Sequence, residues 1–63
     1  MVHLEVFELF KAYFPQHAEC VTEWFPNGKN SVRVRMAVGH EFIFTYEDKN
    51  NWRFETYNYF LTT

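Results

Sequence analysis

His17 and Cys20 stand three residues apart, a spacing from which a metal or thiol site can be built. The surrounding residues alternate as a strand, and on a strand residues three apart point to opposite faces, so the two could not share an ion. His3 falls at the start of a helical stretch and His40 in a turn, and no C-x-x-C or H-x-x-x-H completes a ligand set. Cys20 is the single thiol. The expected strand register puts it on the packed face, where apolar surroundings raise a thiol pKa and leave it inert. Ser31 lacks the G-x-S-x-G setting of an activated hydroxyl. Glu47 and Asp48 read as turn residues, and Glu19 and Glu23 share a strand face with no apolar pocket to raise a carboxyl pKa. The loop at residues 26–30 lacks the second glycine and the Lys-Ser/Thr ending of a phosphate loop. No catalytic residue, metal or cofactor is implied.

Two binding chemistries remain. Arg33, Arg35 and Arg53 fall on one face of the expected sheet with Tyr57 near them. A sheet that presents aromatic and basic groups can stack single-stranded bases. Glu19, Glu23, Glu41 and Glu55 share that face and cancel much of its field, so weak nucleic-acid binding is the alternative reading. The second chemistry is apolar contact. Phe7 and Phe14 edge the apolar arc of the helix, and residues 56–63 carry no side-chain charge but include Tyr59, Phe60 and Leu61. Together these five predict a partner-binding patch, serving either a homodimer seam or a different protein.

The elements that must position these groups follow from periodicity. Over residues 2–14, Val2, Val6, Leu9, Phe10 and Tyr13 recur at helical spacing, with Phe7 and Phe14 at the edge and Glu5, Glu8, Lys11 and Ala12 opposite. Pro15 restricts Phe14 and stops the helix. The rest alternates with period two and predicts strands at 17–25, 31–38, 41–47 and 51–57. Short Gly- and Asn-rich turns make them an antiparallel meander. A five-residue loop at 26–30 predicts Trp24 opposite Val32, Glu23 opposite Arg33 and Cys20 opposite Met36. A loop at 38–40 predicts Met36 opposite Phe42 and Val34 opposite Phe44. A loop at 48–50 predicts Tyr46 opposite Trp52, Thr45 opposite Arg53 and Phe44 opposite Phe54. In this register the apolar face gathers Cys20, Trp24, Val32, Val34, Met36, Phe42, Phe44, Tyr46, Trp52 and Phe54. The predicted fold class is therefore α+β, an N-terminal helix on a three- to four-stranded antiparallel meander sheet.

Composition sets the outer bounds. Sixty-three residues make one compact domain, 1–63, and the chain begins at Met, as expected of a complete small gene product. A domain this short buries only about 60% of its unfolded surface. Eight Phe, four Tyr and two Trp supply its core from few residues. A net charge of −2 argues against a whole-domain footprint for duplex nucleic acid. One cysteine, no membrane-length apolar run and no signal-peptide pattern place it in the cytoplasm. The expected function is a small non-enzymatic intracellular binding protein with a protein partner. Chains of this size and charge without a catalytic signature are common among phage and mobile-element accessory proteins. That analogy sharpens the expectation to an inhibitor occluding a host macromolecule such as a nucleic-acid-handling enzyme.

Overall fold

Pro15 organises the first part of the chain. In the computed structural model, which describes residues 2–57, helix α1 runs over His3–Tyr13 and Phe14 leaves helical geometry at φ −132°, ψ 66°. The proline then opens a second short helix, α2, over Pro15–Ala18. This corrects the expected start of the first strand at residue 17. A proline needs no N–H at the first position of a helix and its fixed φ suits it, so it ends one helix and seeds the next. His17 therefore sits on α2, and Glu19 and Cys20 form the turn that follows.

Four strands follow: β1 over Val21–Pro26, β2 over Ser31–Met36, β3 over Glu41–Asp48 and β4 over Asn51–Thr56. They form one antiparallel sheet in the order β1-β2-β3-β4, the predicted meander. The β3–β4 register is as expected, with Tyr46 opposite Trp52, Thr45 opposite Arg53 and Phe44 opposite Phe54. The loop is shorter than expected: a bulge between Tyr46 and Asp48 lets Asp48 pair with Asn51.

The other two registers differ from expectation by two residues. Trp24 pairs with Val34, not Val32, and Glu23 with Arg35, not Arg33. Val32 pairs with Phe44 and Val34 with Phe42, where Val34–Phe44 and Met36–Phe42 were expected. The cause in the first hairpin is Pro26. It stays in β1 opposite Val32, and the Asn27 N–H donates to the Ser31 carbonyl at 2.9 Å. That leaves Gly28-Lys29-Asn30 as the loop, with Gly28 at φ +76° and Asn30 at φ +57°. Because hydrogen-bonded pairs alternate, the nitrogen of Pro26 faces the open edge, where a missing N–H costs nothing. In the second hairpin Met36 N–H donates to the His40 carbonyl, and Ala37-Val38-Gly39 turn with Gly39 at φ +97°.

A shift of two residues keeps every side chain on its face. The apolar face therefore survives the register change, except at Cys20. A bulge between Val21 and Glu23 turns Val21 inward, and Cys20 lies before the strand and is exposed, not packed. The core comprises Val6 and Phe10 from α1, Val32, Val34 and Met36 from β2, and Phe44 from β3. Full burial of each large side chain contributes roughly 1.5–3 kcal/mol. Helix α1 crosses the two central strands, β2 and β3. Its start is fixed where His3 Nε2–H donates to the Gly28 carbonyl at 2.6 Å. Val2, expected in the apolar arc, is exposed, as is Leu4.

Candidate interaction surfaces

The two expected faces have separate architectures. On the outer face of the sheet, Glu41 accepts from Arg33 at 2.9 Å and from Arg35 at 3.0 Å, and Arg35 also donates to Glu23 at 2.7 Å. The register creates this chain, since Arg35 has Glu23 on one neighbouring strand and Glu41 on the other. Phe25 lies beneath both guanidinium groups, its ring centre 4.8 Å from Arg33 and 5.5 Å from Arg35. The Tyr57 ring is 5.4 Å from Arg33. Arg33, Arg35 and Tyr57 are thus brought together. Arg53 stands apart, with Glu55 3.7 Å away on its own strand. Sequence reasoning missed Phe25, although it alternates in phase with Glu23 onto the outer face.

The expected apolar patch is distributed differently. Phe7 stacks on Trp24 of β1 at 4.7 Å, while Phe14 stacks on Phe54 of β4 at 4.4 Å. The two rings are half-buried on the same face and reach opposite edge strands of the sheet. Tyr59, Phe60 and Leu61 lie outside the described residues.

A cleft of about 350 Å³ opens where α2 meets the β2–β3 turn, lined by Gln16, His17, Cys20, Met36, Ala37, Val38 and His40. The helical turn at Pro15–Ala18 builds it, bringing His17 and Cys20 to one cavity where a strand would have parted them. The His17 ring leans edge-on against Phe54 at 5.5 Å and Phe14 at 5.8 Å. Val38, at the turn, is 79% exposed. The cleft was not foreseen; the signal for it was Pro15 followed by helix-compatible Gln16-His17-Ala18. Among the described residues, no three of His, Cys, Asp or Glu are grouped to hold a metal ion. Nor, among them, is any helix long and apolar enough to cross a membrane.

On the inner face, the Tyr13 hydroxyl lies 3.4 Å from that of Tyr46. The hydrogen bond with Tyr13, then desolvation, then the negative charges of a neighbouring phenolate and of Asp48 hold the Tyr46 hydroxyl protonated above its ordinary range. Comparison with protein families, curated proteins and solved structures gives no match.

Proposed function

We propose that this chain is a non-enzymatic binding protein that acts by occupying a surface of another protein. The observation that supports this is the cleft at α2 and the β2–β3 turn, which is walled by Met36, Ala37 and Val38 and carries the highly exposed Val38 at its rim. A concavity with an apolar floor and an exposed apolar side chain at its rim suits a protein contact. An inhibitor that occludes a nucleic-acid-handling enzyme is the sharper form of this reading.

The test immobilises the chain, wild type or Val38→Glu, and compares what each retains from lysate of the source cell. A discrete protein held by wild type and lost with Val38→Glu supports the reading. Equal retention by both, or retention of nothing, overturns it. A second reading, single-strand nucleic-acid binding on the outer face, draws on Arg33 lying against both Phe25 and Tyr57. Closure of Glu41 over both arginines weighs against it.

A further inference from the structure

The two edges of the sheet are not alike. Tyr57 N–H donates to the Glu41 carbonyl at 2.8 Å, which sets the phase of the β3–β4 ladder. Tyr57, Glu55 and Arg53 turn their backbone groups to β3, so Trp52, Phe54 and Thr56 turn theirs to the far edge. Among the described residues no strand pairs with that edge. The opposite edge, β1, is blunted by Pro26 and by its bulge, two common guards against strand addition. Strand β4 has neither guard in its own run, and Trp52 on it is 38% exposed.

We propose that two copies of this chain pair along β4, antiparallel, with Phe54 opposite the partner's Phe54. Backbone direction and charge together select this register. Only registers that set Trp52, Phe54 and Thr56 against the same set on the partner satisfy the outward N–H and C=O groups. Three of these lie near the middle of the strand. One centres on Arg53 against the partner's Arg53 and another on Glu55 against the partner's Glu55, and like charges directly opposite oppose pairing. The third, centred on Phe54, sets Arg53 opposite the partner's Glu55 and Glu55 opposite the partner's Arg53. It also sets Trp52 beside the partner's Thr56 on the inner face. The contact is isologous and closes as a dimer.

Of the three arginines, the one it uses is the most loosely held. Arg33 and Arg35 hold carboxylates at 2.7–3.0 Å, whereas Arg53 and Glu55 are 3.7 Å apart and both more than half exposed. The proposal concerns a surface separate from the cleft and stands or falls without it.

Sedimentation velocity from about 1 µM to about 1 mM covers the range in which weak association is read. Wild type is expected to shift from monomer to dimer across it. Arg53→Glu alone and Glu55→Arg alone are each expected to remain monomeric, since each sets like charges opposite. An equimolar mixture of the two restores opposite charges at both positions and is expected to form the dimer again. Thr56→Pro, which removes only an outward N–H, is expected to keep the monomer fold by circular dichroism and lose the dimer. A wild type that stays monomeric, single variants that dimerise as wild type does, or a mixture that fails to associate overturns the proposal.

Discussion

Phe14 lies flat on Phe54, ring centres 4.4 Å apart and planes 25° from parallel, so the residue that ends α1 is also the one that clamps β4. The same ring meets Trp52 at 5.6 Å and Phe44 at 6.0 Å. Phe14→Ala is therefore expected to destabilise the protein by about 2–4 kcal/mol, below the fully buried limit because the ring is half-exposed. Urea unfolding followed by tryptophan fluorescence measures this. An unchanged midpoint shows that Phe14 adds nothing to the hold that Phe10, Tyr13 and Phe42 have on β4.

Phe10, Val34 and Phe44 have no solvent exposure. Truncating any of them to alanine is expected to cost roughly 2–5 kcal/mol. A domain of this size rarely holds more than about 3–5 kcal/mol in total. Each variant is thus expected to be largely unfolded at room temperature, as read by the loss of a cooperative thermal transition.

Glu41 governs what the outer face offers to a polyanion. Wild-type binding to single-stranded oligonucleotides near physiological salt is expected to be absent or weaker than about 10⁻⁴ M. Glu41→Gln takes the carboxylate from Arg33 and leaves Arg35 held by Glu23 alone, and is expected to raise oligonucleotide affinity with a salt slope steeper by about 0.7 for each phosphate gained. Fluorescence anisotropy at several salt concentrations gives both quantities. Sub-micromolar binding by wild type sinks the protein-partner reading in favour of the nucleic-acid one.

Tyr46 gives the fold a pH dependence in the alkaline range. Its hydroxyl is held above the ordinary value of 10.0 in the folded protein, so the native state keeps this proton when the unfolded chain has released it. The contribution is fully present below pH 10.0, the unfolded value, and is lost as pH rises through the raised folded value. Melting temperature is expected to fall above that point, and Tyr46→Phe to flatten the fall. Thermal scans across alkaline pH test it; a parallel decline in both proteins assigns the loss to other groups.

The α+β architecture, the meander order and the packed face were legible because period-two alternation runs through β2 and β4 and through β3 apart from Ile43 and the bulge after Tyr46. Exact partners were less so. Pro26 reads as a loop residue, yet on an edge strand its nitrogen can face outward, and that moved Trp24 from Val32 to Val34. The shift was invisible to the face argument because two residues is one full period. Cys20 was misplaced for a different reason. Alternation was extended back across a stretch that Pro15 had already committed to helix, and with it went the cleft that His17 and Cys20 share. The outer-face chain was only partly legible, since Glu23 was assigned to the wrong arginine.

The stacking of α1 on the far strand also sets a timetable. The chain makes α1 before any strand, but Phe10 finds Phe44 only once β3 exists, and Phe10 and Phe14 find Phe54 only after all four strands exist. During synthesis at about 5–20 residues per second, the apolar arc of that helix waits seconds for its cover. Each hairpin closes on its own neighbours within microseconds once made. Helix α1, made ahead of the sheet, is thus sealed only when the sheet is complete, and until then the growing chain is exposed to chaperones and proteases through its helix rather than through its hairpins.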